Sequence, residues 1–268
     1  MGVISDSLPF SSMEFAMLEL YNFPMSTCSQ KVRIVLAEKS LEWKDHRIQF
    51  GDHLKPDYLE LNPNGVVPTL VHDGVPIIDS SVICEYLDEV FPQNSTTPPD
   101  AIGRAKMRAW LRYIEEVPTP AVRYPSFNRV LVRNLQKMSK EEFDRAADKR
   151  PLRKHFYHRM GQTGFPKEDI DAAFEDLRNA YGRMEKVLSE TGGPWIMGGQ
   201  FTLVDVCLVP TIDRMDDLDY ADMWQRSLPR VTEWWSRIKA RPSYKTTYYT
   251  GARFSDAYAA LMKETAAA

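Results

Sequence analysis

The sequence has little cysteine, no long apolar run and almost no charge imbalance. It holds three cysteines among 268 residues, Cys28, Cys84 and Cys207. They are odd in number, far apart and without a CxxC pair, so they indicate neither a disulfide framework nor a zinc site. Reduced thiols are typical of proteins in a reducing compartment, and we expect a cytoplasmic protein.

Two classes of partner are not indicated. No segment approaches the roughly 20 apolar residues of a membrane span, which argues against a membrane partner. The formal net charge is −3 and the basic residues form no long run, so no nucleic-acid surface is predicted. Residues 1–16 are rich in Ser, lack periodicity and do not resemble a secretory signal, and we expect a flexible leader.

The first part of the chain predicts a βαβ unit, then a hairpin and a helix. "LELYNF" alternates as a strand does, and Ser26 to about Lys39 carries the apolar spacing of one helix face. A strand is expected in "KDHRIQF", a loop without regular structure in "GDHLKPDYLELNPNG", and a hairpin turn at Asp73-Gly74. A helix from Ser80 to Val90 completes this α/β unit, which we bound at 17–92.

The second part predicts helices alone. "FPQNSTTPPDAIG" has the composition of a linker, bounded at 93–103. Helical patterns follow over 104–116, 141–149, 167–190, 203–213 and 229–240. The expected fold is therefore an α/β domain followed by an all-α domain over 104–249, with a C-terminal tail over 250–268.

A binding site is indicated where two loops meet the sheet. Pro68 stands at the entrance to a strand, where a cis Val67-Pro68 bond would expose the Val67 backbone to an extended peptide-like ligand. Asp79 and Ser80 begin the next helix, whose free N–H groups suit a carboxylate, while Asp79 suits an amino group. Together these features predict recognition of a zwitterion.

This combination resembles the glutathione transferase superfamily from Met17 to about Tyr249. "STCSQKVRIVLAEK" is similar to its serine-type N-terminal motif, "LNPNGVVPTL" to its cis-proline segment and "DSSVICEYLDEVFP" to its Ser-containing helix. "FTLVDVCLVP" is similar to its capping box between Thr202 and Asp205. The resemblance implies a thioredoxin-like N-terminal domain, an α-helical C-terminal domain and glutathione as cosubstrate.

Roles for individual residues follow from the resemblance. It implies that Ser26 is the catalytic hydroxyl, which favours the thiolate of glutathione by a hydrogen bond beside a helix N-terminus. It also implies glutathione contacts from a second set of residues, namely Thr27, His53, Val67, Pro68, Asp79 and Ser80. Gly65 stands where some members place a side-chain donor.

Simpler interpretations remain open for several residues. Ser26 and Thr27 are also ordinary helix caps, and Thr27 is an alternative source of the activating hydroxyl. Cys28 lies on the apolar face of its helix and is expected to be a buried small hydrophobe. His155 and His158 are three residues apart without a third ligand, so no metal site is predicted.

The substrate pocket is expected between the first helices of the second domain, where this family binds its electrophile. Tyr113, Tyr124 and Phe127 are the aromatic candidates for its walls. The long connection over 128–167, with "VICEYLDEVFP" and "RAKMRAW", is similar to bacterial glutathione-dependent β-etherases. That similarity implies attack of the glutathione thiolate on the carbon that bears an aryl ether, giving a thioether and a phenol.

Three alternatives stay open at this point. A zeta-like isomerase and a general conjugating transferase share the fold, and a non-catalytic binding or assembly protein is also compatible with it. The resemblance further implies a homodimer, or a heterodimer with a related subunit.

Overall fold

The computed structural model describes residues 17–259 of the chain. Within that range the strands are β1 (Leu18–Asn22), β2 (Lys44–Arg47), β3 (Thr69–His72) and β4 (Val75–Ile78). They form one sheet of order β2-β1-β3-β4, in which β1 and β2 are parallel and the other pairs are antiparallel. The leader predicted over 1–16 lies outside the described residues.

The βαβ unit and the hairpin form as the sequence predicts. Helix α1 (Thr27–Glu38) connects β1 to β2, and helix α3 (Ser80–Val90) follows β4. Asp73 and Gly74 both adopt positive φ, +50° and +81°. Two successive residues in that region are what a tight hairpin turn between twisted strands requires.

The loop predicted over "GDHLKPDYLELNPNG" is wrong for its central part. A 3₁₀ turn covers Asp52–Leu54 and helix α2 covers Pro56–Leu61. Pro56 occupies the first helical turn, where its missing N–H costs nothing and its fixed φ favours the helix. Tyr58 fixes this helix to β3 and the segment before it, because its buried hydroxyl donates to Val66 O at 2.7 Å and lies 2.9 Å from Thr69 Oγ1.

The remainder of the described chain is helical, and its helices have the following bounds. They are α4 (Ala101–Glu116), α5 (Pro118–Ala121), α6 (Arg123–Ser126), α7 (Val132–Leu135), α8 (Lys140–Asp148), α9 (Lys154–Met160), α10 (Lys167–Thr191), α11 (Leu203–Asp217), α12 (Asp222–Gln225), α13 (Pro229–Ala240), α14 (Pro242–Thr247) and α15 (Phe254–Ala257). A π-helical turn, Phe127–Leu131, joins α6 to α7.

Two of the predicted bounds for the helical unit are wrong by more than one residue. Helix α4 begins at Ala101, inside the predicted linker, because Asp100 Oδ1 accepts a hydrogen bond from the Gly103 N–H at 2.8 Å and caps it. Helix α11 passes Asp213 and ends at Asp217, with Pro210 inside it.

Helix α11 forms the centre of the core. The capping box at its start is present as predicted, since the Asp205 carboxylate accepts from the Thr202 N–H at 3.0 Å. Asp205 also accepts from Trp234 Nε1 at 2.8 Å, so the box is connected to α13. A core of apolar side chains runs continuously from the sheet to these helices.

Among the described residues, two ion pairs join helix α1 to the helical unit. Lys31 Nζ on α1 lies 2.5 Å from Glu115 Oε1 on α4, and only 1% of the lysine side chain is exposed. Arg241 holds Glu38 through two nitrogens, each 2.7 Å from a carboxylate oxygen. Both pairs hold α1 against the helices, which fixes the position of the helix N-terminus described next. Among the described residues, no helix has the length and apolar character needed to cross a bilayer.

Candidate active site

Three segments of the α/β unit end side by side. The register of the sheet pairs Tyr21 with Thr69 and Thr69 with Ile78. The segments that contain Phe23, Val67 and Ser80 therefore leave or enter the sheet at the same end. The Val67-Pro68 bond is cis, as predicted. Val67 lies outside the ladder, which begins at Thr69, so its backbone stands at the open end of the sheet.

Ser26 begins α1 beside this row. Its N–H donates to Phe23 O at 3.0 Å, and its side-chain oxygen accepts from the Ser29 N–H at 3.2 Å. Ser26 is therefore the N-cap that the sequence predicts. The first turn of α1 carries no acidic side chain, so the positive end of its dipole is available to an anion.

A cleft opens above the start of α1. One wall belongs to the α/β unit and includes Ser26, Thr27, His53 and Val67. The opposite wall comes from α6 to α9 and includes the aromatic residues Phe127, Phe156 and Tyr157. The cleft therefore joins a polar helix end to an aromatic surface, which is the composition of a site for a small polar cosubstrate and an aromatic partner.

Pro68, Asp79 and Ser80 lie beside the cleft and do not line it. Asp79 caps α3: its Oδ1 accepts from the Ser81 N–H at 3.0 Å and the Val82 N–H at 3.2 Å. It does so with φ at +72°, a strained conformation for a non-glycine residue that is frequent at functional sites. Ser80 is buried behind it, with 4% exposure.

Cys28 differs in part from what its helix pattern predicts, and His53 lies in the same cleft. Cys28 lines the cleft and is half-buried, whereas the helix pattern predicts a buried thiol. His53 also lines the cleft, and burial together with the nearby Arg150 charge lowers the pKa of His53 below its usual value. The imidazole is therefore favoured in its neutral form.

Two of the three predicted aromatic candidates lie outside the cleft, and Phe127 lines it. Tyr113 packs on Trp110, with ring centroids 5.8 Å apart, under the guanidinium of Arg183. Tyr124 packs on Phe165 at 4.4 Å. Both side chains belong to aromatic packing among the helices and do not line the cleft.

Sequence reasoning missed the cationic part of the lining. Of the residues that the structure describes, four arginines line the cleft, Arg123, Arg150, Arg153 and Arg214, and no Asp or Glu does. Three of the four are in or near the long connection over 128–167, whose charged residues are mostly basic. This excess of basic residues was the available signal, but it does not select the arginines of the cleft from the exposed ones.

The C-terminal segment also contributes to the cleft. Of the tail predicted over 250–268, the structure describes residues up to 259, and Phe254 among them lines the cleft. Asp217 Oδ2 accepts from the Phe254 N–H at 2.7 Å, and the Arg214 guanidinium lies 3.8 Å from the Phe254 ring centroid. Gln30 Nε2 donates to Ala252 O at 3.0 Å, which fixes the same segment to α1.

No metal centre accompanies the site within residues 17–259, where the structure contains no group of three or more His, Cys, Asp and Glu side chains arranged to hold an ion. His158 instead lies 2.9 Å from Asp148 Oδ1 on the surface.

Two domain families match the chain in the order of its two units. The glutathione S-transferase N-terminal domain matches residues 20–95, and the glutathione S-transferase C-terminal domain matches residues 140–242. An α/β unit with a hydroxyl-capped helix, followed by a helical unit that completes the cleft, defines the same class of protein.

Individual relatives match nearly the whole chain. Protein LigF of Sphingobium sp. (strain NBRC 103272 / SYK-6) is 32% identical over 86% of this chain and 93% of LigF. The crystal structure of beta-etherase LigF from Sphingobium sp. strain SYK-6 superposes with a TM-score of 0.77 at 31% identity, over 86% of this chain and 98% of that chain. The chain is also similar to maleylacetoacetate isomerase of Pseudomonas aeruginosa, at 27% identity over 86% of this chain and 95% of the isomerase.

The chain therefore belongs to the glutathione transferase family. The predicted fold, a thioredoxin-like domain followed by an all-α domain, is confirmed.

Proposed function

We propose that this chain is a glutathione transferase that cleaves β-aryl ethers of α-carbonyl aromatic compounds derived from lignin. The observation that carries the proposal is the shared cleft, in which Ser26 at the start of α1 faces the aromatic wall formed by Phe127, Phe156 and Tyr157. The similarity to LigF, described as a beta-etherase, supports the reaction type.

Glutathione is proposed to lie along the open end of the sheet. Its central backbone would pair with the N–H and C=O of Val67 beside Pro68, and its γ-glutamyl end would reach Asp79 and the buried Ser80. Its glycyl end would lie toward His53. The segments of Phe23, Val67 and Ser80 meet at the same end of the sheet, which supports an extended tripeptide across them.

Ser26 is proposed to favour the thiolate, with Thr27 beside it in the same turn. A free thiol has a pKa near 8.5 and is mostly protonated at neutral pH. A donated hydroxyl hydrogen bond and the positive end of the α1 dipole both stabilise the anion over the neutral thiol. The N-terminus of α1 has no acidic side chain to oppose this.

The proposed reaction is a substitution at carbon. The thiolate sulfur forms a bond to the carbon next to the carbonyl, and the bond from that carbon to the aryl oxygen breaks. The electron pair leaves with the phenolate, so the products are a glutathione thioether and a phenol. The adjacent carbonyl already activates the carbon, and the enzyme mainly supplies an oriented thiolate and a pocket for the ring.

The test is phenol release from a β-aryl ether ketone with a chromophoric leaving phenol. Each enantiomer is incubated with protein and glutathione, and then with S-methylglutathione, whose sulfur is blocked. With protein and glutathione we expect phenol release and the thioether in the mass spectrum. With protein and S-methylglutathione we expect neither. Absence of phenol from both enantiomers would overturn the proposal for the chain acting without another subunit.

A second candidate function is glutathione-dependent isomerisation of an acidic unsaturated compound. The arginine-lined cleft favours it, as does the similarity to maleylacetoacetate isomerase. In this reaction glutathione is not consumed, so a constant thiol concentration during turnover distinguishes it from ether cleavage. Binding of glutathione without either reaction would instead support a non-catalytic protein on this fold.

We also propose that the chain acts in the cytoplasm as a dimer, with itself or with a related subunit. Val75 and Val82 in the α/β unit and Ile102 on α4 are large apolar residues that are 62%, 46% and 69% exposed in the single chain, which supports the presence of a partner surface. Sedimentation analysis of the purified chain tests self-association directly.

A further inference from the structure

The cleft carries positive charge that a neutral aromatic ether does not use. Arg123 and Arg153 both line it, and among the described residues neither side chain has a hydrogen bond or an ion pair. A guanidinium group carries five N–H donors and no acceptor. Donors of this kind that face a cleft without a partner are suited to a bound oxyanion.

The two arginines are held in place by the fold. Arg123 begins α6, and Arg153 precedes the first residue of α9. The turn before Arg153 is pressed against the α/β unit, since a Cβ added at Gly65 would lie 3.1 Å from Pro151 Cδ. Arg150 in the same turn is buried, with its guanidinium 4.0 Å from the Tyr157 ring centroid. The segment is therefore fixed at the edge of the cleft.

The positive charge of these arginines is not neutralised by other side chains of the cleft. No acidic residue lines it in the described part of the chain. Glu115 acts on Arg153 from a distance, but its carboxylate is already held by Lys31 Nζ at 2.5 Å. Burial, and then repulsion from Arg123, lower the pKa of Arg153 to about 10. A bound anion would relieve both effects.

We propose that Arg123 and Arg153 form an anion subsite in the electrophile half of the cleft, and that the favoured electrophiles are aromatic compounds carrying a carboxylate. Arg123 lies on the wall that also presents Phe127, across the cleft from the proposed glutathione contacts. The ring would pack on the aromatic residues while its carboxylate pairs with the two guanidinium groups. The proposal rests on glutathione transfer as the general activity of the site.

The first experiment compares two electrophiles that differ only in charge, 4-chloro-3-nitrobenzoate and 4-chloro-3-nitrobenzamide. After correction for the uncatalysed rates, kcat/KM is expected to be higher for the benzoate by about tenfold, the effect of one charge-assisted contact. Arg153→Gln and Arg123→Gln are expected to lower only the benzoate value, and added NaCl to weaken only the benzoate reaction. Arg226→Gln is the matched control, because the Arg226 side chain is 79% exposed and does not line the cleft.

Equal corrected kcat/KM values of the wild type for the benzoate and the benzamide would overturn the proposal. An equal loss of kcat/KM for both compounds in the Gln variants would also overturn it, because the arginines would then act on the thiolate or the leaving group and not on the carboxylate. If the Gln variants raised only the KM of glutathione, the arginines would bind the cosubstrate, and the proposal would be overturned as well.

A binding measurement tests the anion subsite independently of whether the protein cleaves ethers. The glutathione conjugates of the benzoate and the benzamide are titrated calorimetrically into wild type, Arg153→Gln and Arg226→Gln. Tighter binding of the acidic conjugate that is lost in Arg153→Gln alone supports the subsite even when no ether is cleaved. Equal affinities in wild type overturn the subsite even when ethers are cleaved. Circular dichroism of each variant verifies that the fold is retained.

Discussion

The side-chain oxygen of Ser26 accepts a hydrogen bond from the backbone N–H of Ser29 at 3.2 Å. This contact occupies a lone pair of the hydroxyl and leaves its proton free to be donated elsewhere. The residue therefore caps α1 and at the same time offers a donor at the positive end of the helix dipole. Substitutions of Ser26 can separate its role as a helix cap from its role as a hydrogen-bond donor.

Ser26→Ala is expected to lower kcat/KM for phenol release by about 100-fold, the effect of removing one donor to a developing or bound anion. The pKa of bound glutathione, followed by the ultraviolet absorbance of its thiolate, is expected to rise. The free energy of unfolding is expected to fall by about 1 kcal/mol through loss of the cap.

Ser26→Thr and Ser26→Gly separate these effects. Threonine retains both the cap and the donor, whereas glycine is nearly as good a cap and has no donor. Thr27→Val and Cys28→Ala test the neighbours. Full activity in Ser26→Gly together with loss of activity in Thr27→Val would assign the activating hydroxyl to Thr27 instead.

The buried pair between Lys31 and Glu115 is expected to stabilise the junction of the two units only as a pair. Burial opposes the lysine charge, but the glutamate carboxylate outweighs it and raises the pKa of Lys31. Lys31→Met leaves the carboxylate without its partner, and we expect a loss of about 3 kcal/mol in the free energy of unfolding, measured with urea.

The double variant Lys31→Met, Glu115→Leu is the control for this prediction. Replacement of both charges by apolar groups is expected to restore most of the lost stability, because no unpaired charge remains. A double variant as unstable as the single one would show that Lys31 contributes through packing and not through its charge.

Asp88 is expected to make stability depend on pH in the acid range. Burial disfavours its charged form, but Lys39 Nζ at 2.7 Å and the Thr96 N–H at 2.7 Å outweigh burial and lower the pKa of Asp88 to about 2. The folded pKa is below the value of 3.8 for the unfolded chain. The stabilisation is therefore present above that value and is lost as the pH falls through the folded pKa.

Asp88→Asn is expected to be less stable than wild type at neutral pH, with a difference that shrinks between about pH 4 and pH 2 as the wild-type carboxylate becomes protonated. Urea unfolding at a series of pH values measures it. Glu89→Gln, an exposed carboxylate on the same helix, serves as control for loss of one charge. A constant difference between wild type and Asp88→Asn across this range would contradict the prediction.

Much of the fold could be predicted because the signals were local. The alternation in "LELYNF", the pair Asp73-Gly74 and the helix pattern from Ser80 to Val90 each act within one element, where backbone preferences and side-chain periodicity decide the structure. Helix α2 was missed because its stability depends on the buried contact from Tyr58 to Val66, which no local pattern records.

The candidate site divides in the same way. The sequence alone determined the chemistry at the start of α1 and the cis proline, because a helix cap and a proline act on their own backbone. Only the tertiary structure decided which distant side chains face that chemistry: Arg123, Arg153 and Phe254 enter the cleft, whereas Tyr113 and Tyr124 pack away from it. The reason is physical, since the direction of a side chain from a helix depends on which neighbouring helices it packs against.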